Sequence, residues 1–338
     1  MKMYMKNGYV NMHDIIHSPY TFIFGVGARG IGKSYNTWET IIDESIKTGK
    51  KFIYLRITED EIDTVCTAES NPIDDILKYK GKTEFKPINK HMKGIYLDEK
   101  LIGISASLRN FAKVRGMSFK EYNVIFFDEF IREAHQNKLK KLGEALKQLY
   151  ETVNRNRELD GEPPVKLICM SNALDFNNDI LIEFNIIEAI RSMKRSGQEF
   201  YFSPAQSLMV IYPQRSPISA KKKETALYKL EGGSYSKMAL DNEFREFFEG
   251  NVKSCNLKGY KPMFIYGNLC FYRSINSDRT WYVTETRKGN FIEIYNDTHY
   301  ERIAFLKKHI RLHDYYFLGK MSFETAKLEL EFTNLIEC

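Results

Sequence analysis

The sequence predicts an α/β chain with a mainly parallel sheet in its first part and strands followed by a helix, an α+β pattern, toward its carboxyl end. Three observations carry that prediction. A glycine-rich loop, "FIFGVGARGIGKS" at 22–34, joins an apolar strand to a helical segment. A second apolar run, "NVIFFDEF" at 123–130, contains two adjacent carboxylates at its end. Beyond residue 260, three aromatic-rich runs separated by short polar turns read as strands, and a helical pattern follows them.

Composition sets the frame. The 338 residues are 43% hydrophobic and 28% charged, which describes a globular chain long enough for two or three domains with cores of their own. Disordered and fibrous classes do not fit. No apolar run approaches the length needed to cross a bilayer, and "MKMYMKNGYVNMHDII" lacks the features of a signal peptide, so an intracellular protein without a membrane partner is expected. The five cysteines are scattered and never form a CxxC pair, which suggests neither a disulfide framework nor a zinc site. Residues 1–190 balance 27 Lys+Arg against 27 Asp+Glu, whereas residues 191–338 hold 23 against 17. A neutral part with a glycine loop followed by a basic part reads either as an engine joined to a polyanion-facing part or as an ordinary solvated surface.

Each element has its reason. "YTFIF" is a buried strand, and the eight residues Gly27, Ala28, Arg29, Gly30, Ile31, Gly32, Lys33 and Ser34 match GxxxxGK[ST] between strand and helix. Such glycines let backbone N–H groups and a helix amino terminus point at phosphate oxygens, while Lys33 bridges the β- and γ-phosphates and Ser34 ligates Mg²⁺. Tyr35 opens the helix beside this nucleotide-binding set. In that helix Tyr35, Trp38, Ile41, Ile42 and Ile46 recur at helical spacing, and Gly49 stands where a C-terminal cap belongs. "KFIYLRI" at 51–57 is a strand carrying Arg56, which faces the nucleotide or pairs with an acidic residue in the core.

"NVIFFDEF" has the form of a Walker B strand. Asp128 is placed to hold Mg²⁺, and Glu129 to act as general base toward the attacking water. A catalytic Glu directly after that Asp points away from small GTPases and kinases and toward the P-loop additional-strand ATPases. The run 138–158 carries Leu139, Leu142, Leu146, Leu149, Tyr150 and Val153 at helical spacing, a core stripe ending in Arg155 and Arg157. Those arginines are either a catalytic finger or a solvated pair at a helix end. "VKLICMSNA" at 165–173 is a strand delivering Asn172 to the crevice where ligands bind, as a γ-phosphate sensor or as a turn cap.

"GARGIGKSY", "FIYLR", "FFDEFIRE", "TVNRNRE", "CMSNA" and "YSKMALDNEF" follow one another in an order and spacing that resembles the genome-packaging ATPase of small tailed podoviruses, the Picovirinae-type DNA packaging motor. The resemblance covers most of the chain and thins beyond about residue 250. It implies an ATPase domain over 1–199, a linker domain over 200–248, and a ribonuclease H-like domain over 249–338 that has lost its nuclease site. It also implies ATP and Mg²⁺ as cofactors and a homo-oligomeric ring, a pentamer, acting on double-stranded DNA. A portal or connector and a structural packaging RNA are its implied partners, in the host cell cytoplasm with transient docking on the procapsid. Arg155 takes the place of the trans-acting arginine finger. Arg115 falls where a second basic residue reaches the neighbouring subunit's ATP, with Lys113 two residues away as its competitor.

The residues are compatible with that architecture. Pro204, Pro213, Pro217, the Lys221–Lys223 run and Gly232-Gly233 suit a small connecting module. Lys221, Lys222 and Lys223 are the candidate contacts to DNA phosphates. "KPMFIYG", the candidate first strand of the last domain, has no carboxylate, although Glu293 and Asp297 lie later. His309 and His313 imitate a metal pair at i and i+4, but a solvated helix face is the simpler expectation. Two other functions compete: a monomeric P-loop switch or kinase, and a terminase-like nuclease with a regulatory ATPase.

Overall fold

The computed structural model of the chain describes residues 1–67, 71–77, 81–114, 116–131, 141–172, 178–214, 216–230, 251–276 and 280–336. Two compact units divide it, Met1–Arg245 and Glu246–Cys338.

In the first unit, β1 (Phe22–Gly27), β2 (Lys51–Arg56), β6 (Tyr122–Asp128) and β7 (Lys166–Asn172) are the four strands the sequence predicts. They are joined by β3 (Thr83–Asn89), β4 (Met92–Leu97), β5 (Lys100–Ser107), β8 (Phe200–Ser203) and β9 (Leu208–Ile211) in one sheet of order β3-β4-β5-β2-β6-β7-β1-β9-β8. Every pairing from β5 across to β9 is parallel, and β3-β4-β5 at one edge and β8-β9 at the other are antiparallel. The central strands are nearly continuous apolar runs because helices cover both faces. β7 lies between β1 and β6, so one strand separates the glycine-loop strand from the strand with the paired carboxylates. Register aligns Gly27 with Asn172 and Asp128 with Met170, which brings the carboxyl ends of these strands to one edge.

On one face, α1 (Met12–Ile16), α2 (Lys33–Thr48), α3 (Glu59–Val65) and α4 (Pro72–Leu77) share an apolar cluster with the sheet. Trp38 of α2 anchors it, with ring centroids 5.7 Å from Phe52, 4.4 Å from Tyr54 and 5.5 Å from Phe126. The buried stripe of α2 is Trp38, Ile41, Ile42 and Ser45, the i, i+3, i+4, i+7 set. Tyr35 and Ile46, expected in that stripe, are 50% and 43% exposed because they sit beside it rather than on it. On the opposite face, α5 (Leu142–Asn154) and α6 (Asp179–Glu183) bring Tyr150 and Phe184 against Phe22 of β1, at 4.9 and 6.2 Å. α7 (Ile186–Ser196) follows, and α8 (Pro217–Lys222) and α9 (Ala226–Leu230) come after β9. The predicted start of a linker at residue 200 is therefore corrected. Residues 200–211 turn back as an antiparallel pair whose second strand lies parallel to β1, because "LMVI" is apolar enough to be buried beside it. The "YSKMALDNEF" segment, 235–244, lies outside the described residues.

The second unit is a five-stranded sheet of order β13-β10-β11-β12-β14, from β10 (Tyr260–Tyr266), β11 (Leu269–Ser274), β12 (Trp281–Thr284), β13 (Glu293–Tyr295) and β14 (Met321–Phe323). β10, β11 and β12 form an antiparallel meander, while β13 runs parallel to β10 and β14 parallel to β12. Helices α10 (His299–Lys308), α11 (Arg311–Phe317) and α12 (Ala326–Ile336) cover one face with Phe305, Leu312, Tyr316, Leu328 and Phe332. The helical pattern that follows the strands in the sequence, "ERIAFLKKHIRLHDYYF" at 301–317, breaks after Lys308, where His309 leaves helical geometry at φ −111° and ψ 28°.

Candidate functional site

The site forms where β1 ends and α2 begins. Gly32 caps α2 in the left-handed region at φ 87° and Gly30 sits at φ 69°, conformations that L side chains rarely adopt. The loop is pinned from outside by the amino-terminal segment: Val10 N donates to Ile31 O at 3.0 Å, and Asn36 Nδ2 donates to Val10 O at 2.8 Å. Lys33 is 5% exposed and folds back over its own loop, its Nζ donating to Gly27 O at 2.9 Å and Ala28 O at 2.7 Å. The same Nζ lies 3.4 Å from Asn172 Oδ1, so β7 does deliver its amide to the loop.

Ser34 Oγ donates to Asp128 Oδ1 at 2.7 Å, uniting the first helical turn with the end of β6. Arg56, at the end of β2, spans both carboxylates, with Nη1 3.5 Å from Asp128 Oδ2 and Nη2 2.7 Å from Glu129 Oε2. Of the two roles open to Arg56, pairing with acidic residues is the one the geometry realises. Glu129 is itself in the left-handed region at φ 51°, and its N–H donates to Met170 O at 2.7 Å. Its carboxylate is half-exposed, whereas Asp128 beside it is buried.

Burial sets the electrostatics. It pushes the Lys33 ammonium down to about 7, against the pull of Asp128 and Glu129. It pushes the Asp128 carboxyl up to about 6, against Arg56 and the Ser34 hydrogen bond. Tyr35 is exposed at the start of α2, and Arg29 and Gly30 form the tip of the loop.

The remaining candidates separate from this set. Arg155 follows the last residue of α5, and Asn154 Oδ1 accepts the N–H of Val165 at 2.8 Å, beside the first residue of β7. Asn172 is at the other end of that seven-residue strand, about 20 Å away at strand rise. Arg155 Nη2 donates to Met117 O at 3.1 Å, and Arg157 staples the start of β6 through Phe119 O, Lys120 O and Tyr122 O. Arg115 lies outside the described residues; Lys113 is exposed in a short 3-10 turn over Phe111–Val114.

The Lys221–Lys223 run, expected to act together on DNA, divides. Lys221 and Lys223 are exposed, whereas Lys222 turns to the glycine loop and donates to Arg29 O at 2.8 Å. Sequence reasoning missed that contact because 193 residues separate its partners and no local signal marks it.

In the second unit, His309 is not on a solvated face: its ring packs 4.0 Å from Phe264, and Nε2 lies 3.3 Å from Glu293 Oε2. Lys308 and Tyr295 also bind Glu293 and, with His309, hold its carboxyl down at about 2. Asp297 Oδ1 accepts from Tyr266 OH at 2.9 Å. Among the described residues no group of three or more His, Cys, Asp or Glu gathers in a way that could hold a metal ion.

Fold and site together define a phosphate-loop α/β protein with an additional strand between its two signature strands. Residues 4–258 match the family model described as podovirus DNA encapsidation protein (Gp16), and the chain belongs to that family. The DNA packaging proteins of Bacillus phages PZA and phi29 are each 33% identical over 225 residues, covering 65% of this chain. The match spans 61% of the length of those curated relatives. Two solved structures share the fold across nearly the whole chain. The bacteriophage phi29 viral genome packaging motor assembly has a TM-score of 0.66 and 21% identity, covering 97% of this chain and 99% of that one. The phi28 gp11 DNA packaging motor has a TM-score of 0.65 and 16% identity, covering 98% and 99%. Among the described residues no helix is long and apolar enough to cross a membrane.

Proposed function

We propose that this chain is the ATPase of a homo-oligomeric ring, a pentamer by its family resemblance, that drives double-stranded DNA into a viral procapsid. The observation that carries the proposal is a divided site: loop, carboxylates and Asn172 meet at one edge of the sheet, while Arg155 stands a strand's length away beside the other. An arginine so placed is out of reach of its own subunit's loop and suits a neighbour's.

In the proposed cycle ATP is the substrate. Lys33 exchanges two loop carbonyls for phosphate oxygens, and the N–H groups of the loop and of the start of α2 hold the rest. Ser34 Oγ and Asp128 Oδ1, already in contact, form an all-oxygen pair that fits Mg²⁺. A Mg²⁺ held there by Ser34 and Asp128 would supply charge neutralisation for the phosphates. Glu129, released from Arg56, takes the proton of the attacking water, and Asn172 faces the γ-phosphate beside Lys33. Arg155 of the adjacent copy supplies charge in the transition state.

DNA contact is to phosphates, since a motor that moves along any genome cannot read bases. Docking on a portal and a structural RNA, in the host cytoplasm, belongs to the same reading. A ribonuclease H-like second unit is supported by the β10–β11–β12 meander with β13 parallel beside the first strand, although β14 adds to the opposite edge.

The test is complementation. Arg155→Ala and Glu129→Gln are each expected to lower ATP turnover by on the order of 10²-fold or more while ATP binding persists. Mixed, they regain partial activity that vanishes on dilution, because a Glu129→Gln subunit lends its arginine to an intact neighbour. Failure to complement at any ratio would sink the trans-acting assignment and favour the monomeric switch or kinase.

A further inference from the structure

We propose that Lys222 is a second nucleotide-contacting lysine, acting within its own subunit on the terminal phosphate and so favouring ATP over ADP. The proposal rests on the reading of residues 27–34 as a triphosphate loop.

The chain leaving β9 is built against that loop. Pro213 packs on Gly27, where an added Cβ would come within 3.2 Å of the proline ring. Ser216 then caps α8, its hydroxyl accepting the N–H groups of Ile218 and Ser219 at 3.3 and 3.4 Å. At the far end of α8, Lys222 lies over Gly30 so closely that a Cβ there would fall 2.0 Å from its Nζ. Gly30 is required by its positive φ, and the Lys222 ammonium rests in the space its missing side chain leaves.

Two lysines therefore share three successive carbonyls: Lys33 takes Gly27 O and Ala28 O, and Lys222 takes Arg29 O. Arg29 itself adds a third positive charge, and both Lys222 and Arg29 press the Lys33 ammonium toward its neutral form. Among the described residues no carboxylate forms an ion pair with Lys222. A neutral carbonyl offers the ammonium a dipole only, whereas a phosphate oxygen adds the opposite charge and is the better acceptor. Lys222 takes the carbonyl next to the two that hold Lys33 Nζ, and that Nζ lies 3.4 Å from Oδ1 of Asn172, the residue that faces the terminal phosphate in the proposed cycle. A triphosphate arriving there offers Lys222 the better acceptor a short swing from Arg29 O; a diphosphate does not extend that far.

The experiment is titration of the full-length chain with Mg²⁺ and either ADP or the non-hydrolysable adenylyl imidodiphosphate. Lys222→Met keeps the aliphatic stem, and Lys222→Gln keeps a donor without the charge. Both are expected to weaken the triphosphate analogue about tenfold and ADP less than about twofold. Lys33→Ala weakens both ligands, and Lys229→Ala, on α9, changes neither. Unchanged affinity for the analogue in the Lys222 variants, or equal weakening of both ligands, overturns the proposal and leaves Lys222 as loop support only. Unchanged binding in Lys33→Ala would instead remove the triphosphate-loop reading, and this proposal with it.

Discussion

Asp128 is 7% exposed, and burial places its acid form nearer to neutrality than in an unfolded chain. A carboxyl whose folded pKa is raised contributes its stability below the unfolded value and loses it as pH rises through about 6. Asp128→Asn, which mimics the acid form, is therefore expected to stabilise the fold at pH 8 by on the order of 1–2 kcal/mol, read as a higher thermal midpoint, while abolishing turnover. Near pH 4 the gain disappears. An equal gain at both values would mean that something other than ionisation is responsible. Lys33 has the opposite sign and the same lesson: its lowered pKa gives stability that is present at high pH and lost as pH falls through about 7. The loop lysine and both carboxylates were legible in the sequence because contiguous residues define their motifs. Asn172 and Arg56 were legible as strand-end residues but not by partner, since pairing depends on which strands become neighbours. Lys222 was hidden, its contact being made only when the chain returns from β9.

At the level of elements, α2 shows what periodicity does and does not give. Its extent and its Gly49 cap follow from the sequence, but its buried face is rotated from the expected one, because Trp38 chooses the groove between Phe52, Tyr54 and Phe126. Trp38→Ala is expected to cost about 3–5 kcal/mol, read as a lower denaturant midpoint with the slope unchanged. A loss below about 1 kcal/mol would mean that α2 is held chiefly by its loop. The strands β3, β4, β5, β8 and β9 escaped prediction; of these the two edge strands have a physical reason, since β3 is of mixed polarity, β8 is only four residues long, and both are partly exposed and pair with partners already in place. The break after Lys308 escaped as well, since no proline or glycine announces it. There His309 turns onto Phe264 and Glu293 and gives up helical geometry.

Over the whole molecule, the basic excess lies beyond residue 190 while the chemistry is built before it. On the proposed function, binding to double-stranded DNA weakens steeply with rising salt and hardly depends on base sequence. Replacing Lys221 and Lys223 together by Ala, with Lys222 kept for the loop, is expected to reduce the slope of log affinity against log salt by roughly 2. An unaltered slope in a filter-binding or anisotropy measurement would move the DNA path off α8.

The outer edge of the large sheet limits how copies of this chain can meet. β3 carries Pro87, which has no N–H to offer, and Glu84 there is held between Lys82 and Lys86. A charged rim with a missing donor resists extension by a further strand, the route by which exposed sheets grow into open-ended fibres. Copies gathered at high local concentration are thereby denied one indefinite mode of association and are left to join through side chains and loops. On the proposed function, contacts of that kind can be made and broken once per turnover without unravelling the sheet on which the proposed catalytic groups stand.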